Sequence, residues 1–296
     1  REHLGWEALT IVRILTHAVL SFSRHRATSL AAAISYYGMF SLFPLLLLVV
    51  AGTGFFAPSL AGQAAALAYE YFPAAGGLVQ ENVNRLIDLR GQMGVVGAVA
   101  LIWAASNIFN EIVRSLNQVW EAPNRENAFV RNRLLAFIAL FGGTVVIIVT
   151  VGLGVFIELL VEGTFGVLGL DWLSGPTTSL LLGLLPPAAL FAVFLLIYRF
   201  MPDVAPPWWE VWPGALVTTI GVEGLRYGFS WYLTNVTDLQ IVYGSVGTVI
   251  ALLLWIYLLG IVLLFGAEVA AAYGRQRRGL PETEEPAWLV RLIGHS

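Results

Sequence analysis

Cysteine is absent from the 296 residues, which excludes disulfides and thiolate metal sites and leaves the redox compartment undefined. Lysine is absent as well. All 16 basic residues are arginine, a bias that reads as genomic composition rather than chemistry. The four histidines (His3, His17, His25 and His295) lie near the termini, outside every apolar run. A histidine metal centre inside a membrane span is therefore excluded. Nucleotide and metalloprotease signatures are missing too: there is no G-x-x-x-x-G-K-[ST], no G-x-G-x-x-G between strand and helix, and no H-E-x-x-H. On these grounds no enzyme, no cofactor and no metal is expected. A net charge of −3 leaves no basic footprint for nucleic acid. Residues 1–27 carry no cleavage site, so a secretory signal is not expected there.

Charge of either sign is also scarce. Charged residues make up 12% of the chain, where soluble domains carry about a quarter. Hydrophobic residues make up 58%, with a mean hydropathy of +0.77, so the surrounding solvent is mostly lipid. The pattern predicts an all-α polytopic membrane protein, a six-transmembrane-helix bundle. The expected spans are Thr28–Gly54, Gly94–Ile112, Leu134–Leu160, Thr178–Tyr198, Val211–Leu233 and Tyr243–Tyr273, several of them longer than the ~20 residues one crossing needs. With both termini inside, segments 1–27, 113–133, 199–210 and 274–296 hold 13 of the 16 arginines. The outer segments 55–93, 161–177 and 234–242 hold two. That asymmetry is a positive-inside signal.

Around the spans, apolar residues at Leu4, Ala8, Ile11, Leu15, Ala18 and Phe22 recur at helical spacing. They predict that residues 1–27 form a cytoplasmic amphipathic helix, lying at the inner membrane surface or packed beneath the bundle. Segment 55–93 reads as an outer cap of two short helices, and 274–296 as a cytoplasmic tail. Pro44 and Pro186-Pro187 are expected to interrupt and kink their helices. Trp208, Trp209 and Trp212 read as an aromatic belt.

A few polar residues fall in or beside the spans. Glu223 and Arg226 lie inside the fifth span at i, i+3, where they share a helix face and can pair, which lowers the cost of burying charge. They are the first candidates for binding a substrate head group, against the alternative of a structural ion pair fixing helix register. Asn107, Asn110, Glu111, Arg114 and Asn117 share one face at the end of the second span. That face is either a polar path to the cytoplasm or simply a solvated helix end. Tyr36, Tyr37 and Ser41 precede Pro44 and are placed to bond into the gap it opens. Glu268, between Gly266 and Ala270, reads as one satisfied carboxylate within a small-residue packing face. Such a face packs within the bundle or across a dimer.

Three stretches together carry a family resemblance: TSLAAAISYYGMFSLFPLLLL (28–48), WAASNIFNEIVRSLNQVWE (103–121) and YGSVGTVIALLLWIYLLGIVLLFGAEVA (243–270). With PPWWEVWPGAL (206–216), they resemble the YihY/BrkB family of bacterial inner-membrane proteins, formerly mislabelled as ribonuclease BN-like. The resemblance covers most of residues 10–273. It implies six spans and an inner-membrane location, in agreement with the arginine count, and points to movement of an envelope lipid. It supplies no agreed catalytic residues.

Two functions follow as expectations. One is a transporter or flippase for a lipid or other amphipathic envelope molecule, with Glu223, Arg226, Asn107, Asn110, Glu111, Arg114, Tyr36 and Tyr37 as substrate-binding residues. The alternative is a non-transporting envelope scaffold or assembly factor. Expected partners are membrane lipids, an envelope lipid substrate, and a second copy or an envelope-protein partner. A membrane-embedded hydrolase needs carboxylates converging on a metal or a water. Because the chain lacks cysteine, Arg125→Cys and Gln276→Cys test the topology without background. Impermeant thiol reagents should reach neither from outside intact cells, and external labelling of either overturns the orientation.

Overall fold

The computed structural model describes residues 2–56, 95–122, 171–235 and 245–279, with helical positions 142, 145–146, 149–150, 152–154 and 156. All regular structure among the described residues is helical. Six continuous helices are α1 (Glu2–Arg24), α2 (Ala27–Phe56), α3 (Val95–Val119), α4 (Asp171–Phe200), α5 (Trp208–Asn235) and α6 (Ser245–Arg277). The segment 55–93 beyond Phe56, the tail beyond Gly279 and most of the expected third span lie outside the described residues. Thr178–Phe200 of α4 and Val249–Arg277 of α6 are long and apolar enough to cross a membrane.

The helices outrun the apolar stretches that announced them. α4 starts at Asp171, before the expected Thr178, and α6 continues to Arg277, past Tyr273. Helical hydrogen bonding does not stop where hydrocarbon does, so polar turns extend each rod. α2 is helical through Pro44 and α4 through Pro186-Pro187. A proline removes one amide donor and the neighbouring turns keep theirs, which a helix within protein or lipid tolerates.

α6 is the central helix. It packs against α5, α2 and α1, while α3 lies on α2 and α4 on α5. Lipid is as apolar as leucine, so helices in a bilayer associate through close packing and interhelical hydrogen bonds. α5 and α6 meet where neither has a side chain. A Cβ on Gly214 would strike the Gly266 carbonyl and Ala270 Cβ, and one on Gly266 would strike Thr218 Oγ1. The Gly266–Ala270 face therefore packs inside the bundle. Beside this crossing, Tyr198 Oη of α4 lies 2.6 Å from Thr218 Oγ1 and donates to the Leu263 carbonyl at 2.6 Å. Thr218 Oγ1 is also 2.9 Å from the Gly214 carbonyl. Two hydroxyls thus bind three helices together in a fully buried layer.

Short connections fix the end of the bundle that holds the α1–α2 turn. α1 and α2 are joined by His25 and Arg26 alone, with Arg26 in the left-handed region (φ 51°). α3 ends in a Schellman turn, with Ala122 N donating to the Asn117 carbonyl (2.8 Å) and Glu121 N to that of Gln118 (3.2 Å). Glu121 takes the left-handed position usual for glycine (φ 49°). The Asn117 side chain then accepts a bond from Asp203 N at 2.8 Å, tying the α4–α5 loop to α3.

α1 presents two faces. Ile14 and Ala18 pack on Val269 and Ala272 of α6, while Val12, Leu15, Val19 and Leu20 are exposed. The helix thus packs against the bundle and also keeps an apolar outer face.

Gly266→Val tests the central crossing. Overpacking a closed core costs about 1–3 kcal/mol, so the variant should melt measurably below wild type in detergent. Gly183→Ala, where an added Cβ meets nothing within 4 Å, should not.

Candidate functional site

The fifth helix carries charge where its neighbours carry leucine. α5 turns Val211, Gly214, Ala215, Thr218, Val222 and Phe229 inward, and Glu223 and Arg226 lie on its flank. The local spacing does what it implies: Arg226 Nη2 and Nε approach Glu223 Oε2 at 2.9 and 3.1 Å. Both side chains keep partial access, 18% for Glu223 and 16% for Arg226. Arg226 also donates to Tyr227 Oη at 2.9 Å and lies over that ring, 4.5 Å from its centroid. Tyr227 is 67% exposed, and Ile220 and Trp231 lie open on the same side. The ion pair therefore borders an outward-facing apolar strip and is not sealed within the core.

The α3 candidates divide. Glu111 is buried and its Oε2 lies 3.4 Å from Nη1 of exposed Arg114. Asn107 and Asn110 are half-buried, and Asn117 is spent on the α4–α5 loop. On α2, Tyr36 and Tyr37 are exposed and stack edge to face with 5.4 Å between centroids, with Phe40 next to Tyr36 at 5.1 Å. Gly38 faces both Ile108 and Ile256, and Phe229 packs on Trp255 at 4.9 Å. The three groups on α2, α3 and α5 consequently share one layer of the bundle.

The most connected polar group is where the α1–α2 turn meets the C-terminal part of α6, and only part of it is expected from the sequence. Glu268 of α6 is completely buried, and its Oε1 lies 2.6 Å from Nδ1 of His25. The other ring nitrogen, Nε2, is 3.4 Å from Glu121 Oε1 and 3.4 Å from Arg24 Nη2. Arg24 and Glu121 are themselves paired at 2.7 Å. Gln118 Nε2 donates to the His25 carbonyl at 2.9 Å. Glu210, buried in the first turn of α5, receives Arg278 Nη2 at 2.6 Å, and Gly274 leaves the room for that carboxylate. Glu268 is not the satisfied carboxylate expected, since Oε2 is buried with no hydrogen-bond partner. The available signal was the residue itself: an ionisable group in an apolar helix implies a partner.

Aromatic residues cluster at the start of α5. Trp208, Trp209 and Trp212 are exposed, and the Arg199 guanidinium lies over the Phe200 and Trp208 rings at 5.4 and 5.7 Å. No group of three or more His, Cys, Asp or Glu suited to hold a metal ion occurs among the described residues.

The family model described as Virulence factor BrkB matches residues 18–288. Among curated relatives, the ribonuclease-like protein YfkH of Bacillus subtilis is 28% identical over 88% of this chain and 94% of its own length. A UPF0761 membrane protein of Mannheimia succiniciproducens is 28% identical over 86% of this chain and 88% of its own. One from Xanthomonas campestris pv. campestris is 30% identical over 92% of this chain and 64% of its own. No solved structure matches the chain. With the model spanning nearly the whole of the helical bundle, the chain belongs to the BrkB virulence-factor family.

Proposed function

We propose that this chain is a multi-pass protein of the bacterial inner membrane, crossing six times with both termini in the cytoplasm, and that it moves a lipid or other amphipathic envelope molecule. The observation that carries the reading is the Glu223–Arg226 pair, partly accessible beside exposed Tyr227 and Trp231 on an otherwise apolar helix. A charge held at this depth costs several kcal/mol unless it is paired or wetted. Pairing reduces that cost, and lateral access gives the pair a use. Arginine offers donors in a fork suited to phosphate or carboxylate, while the glutamate accepts from an amine. A zwitterionic or anionic head group can exchange with the pair while its acyl chains stay against Ile220, Tyr227 and Trp231.

The remaining assignments follow from that path. Glu111 and Arg114 on α3 form a second charged step in the direction of the inner surface. Tyr36 and Tyr37 offer hydroxyls in the same layer. α1 lies along the inner surface, with Val12, Leu15, Val19 and Leu20 toward lipid. An enzymatic role has no support in this arrangement, and the ribonuclease-like name of one relative finds no matching chemistry in the described residues.

The test is reconstitution in liposomes with fluorescent phospholipid in the inner leaflet, comparing wild type with Glu223→Gln and Arg226→Gln. Movement in wild type that falls to the empty-liposome level in both folded variants is the expected result. Each single variant strands its partner and should lose about 1–3 kcal/mol of stability, and the double variant less than the sum. No wild-type movement, with or without an ion gradient, counts against transport and leaves the scaffold reading ahead.

A further inference from the structure

We propose that His25 and Glu268 form a proton-binding site reached from the cytoplasm through Glu121. The imidazole stands between two carboxylates of unlike surroundings. Glu268 is fully buried, whereas the Glu121 side chain is 56% exposed. His25 itself is buried, so its two nitrogens connect an accessible acid to an inaccessible one. A partner is present for either protonation state of Nε2. When unprotonated it accepts from Arg24 Nη2, and when protonated it donates to Glu121 Oε1, each at 3.4 Å. Nδ1 faces Glu268 Oε1 at 2.6 Å in both cases.

The proton count closes. A proton arrives on the Glu121 carboxyl and passes to Nε2; the proton on Nδ1 passes to Glu268 Oε1. The imidazole is left protonated on Nε2, with Nδ1 accepting from the new carboxylic acid, and release retraces the route. The destination suits a neutral group. Glu268 Oε2 has no hydrogen-bond partner, and a buried oxygen left so costs far more on a carboxylate than on a carboxylic acid.

Several elements bring charge to the ring. α1 contributes Arg24, with His17 two turns earlier on its buried face, and the turn contributes exposed Arg26. α3 contributes Glu121, α6 contributes Arg275, and Arg278 follows the end of α6; Glu268, Glu121, Arg24 and Arg278 all act electrostatically on Arg275. Arg278 is committed to Glu210 of α5. Residues 27–35 of α2 carry no titratable side chain. Four guanidiniums (Arg24, Arg26, Arg275, Arg278) thus gather with three carboxylates (Glu121, Glu210, Glu268) at this end of the bundle. The geometry is also held under strain, since Arg26 and Glu121, on either side of the ring, both adopt positive φ. Backbone strain of this kind costs about 1–3 kcal/mol per residue and gathers at functional sites.

Proton binding does not depend on lipid movement; only its use as a driving force rests on the transport reading. The test is therefore made without lipid substrate, by infrared difference spectroscopy of the full chain in nonionic detergent as pH is lowered. A carboxylic-acid carbonyl band present in wild type and lost in Glu268→Gln is expected. Glu121→Gln, altered at a half-exposed side chain, should retain the band while its deuterium exchange slows about a hundredfold, the scale of one positioned proton-transfer step. A permanent His25–Glu268 ion pair predicts the reverse, with no carboxylic-acid band assignable to Glu268 at any pH at which the protein stays folded, and that result overturns the site. Should Glu268→Gln not fold, exchange at wild-type rate in Glu121→Gln overturns the route.

Discussion

In lipid, helices gain little by hiding leucine, so backbone contact and shared hydrogen bonds have to hold them. In this chain the contact is concentrated where Gly214 of α5 meets Gly266 of α6. The approach brings the Thr218 hydroxyl and the Leu263 carbonyl within reach of Tyr198, which attaches α4. It also sets the height at which α5 stands against α6. Phe229 then packs on Trp255 at one end, and Glu210 reaches Arg278 past Gly274 at the other. On its opposite side α6 presents Gly260 to Ala31 of α2. One close crossing thus indexes most of the bundle.

Charge is placed in two distinct ways around this core. Around the α1–α2 turn, acids and arginines from α1, α3, α5 and the end of α6 interlock, so each ion serves to register one helix against another. On α5 the Glu223–Arg226 pair is made within one turn of one helix, beside the exposed strip of Ile220, Tyr227 and Trp231.

Local pattern explains what could be read in advance. The starts of α2 and α5 fall within a few residues of expectation, because apolar runs and Pro-Trp punctuation report directly on span boundaries. The Glu223–Arg226 contact was readable because i, i+3 spacing on a helix is itself a distance. His25 and Glu268 are 243 residues apart, and no spacing rule connects them. Position near a terminus marked His25 as peripheral, yet a tight turn against the end of α6 buries it. Glu268 was noticed as an ionisable group in an apolar helix, but its surroundings, half bonded and half bare, are a product of tertiary packing alone. The α3 stripe shows another limit of local pattern. A shared helical face predicts shared direction, and the structure gives its members different tasks, Asn117 as a loop tether and Glu111 as the buried half of an ion pair.

The bare crossing of α5 and α6 has a mechanical side as well. Surfaces that touch backbone to backbone, with Tyr198 and Thr218 bonded across them, have no side-chain cushion in which to slide. α5 and α6 therefore move as one rigid lever, and the charged pair on α5 travels with the Glu268 end of α6. Gly260 brings α6 close to the backbone of Ala31 as well, so α2 is held to the same lever.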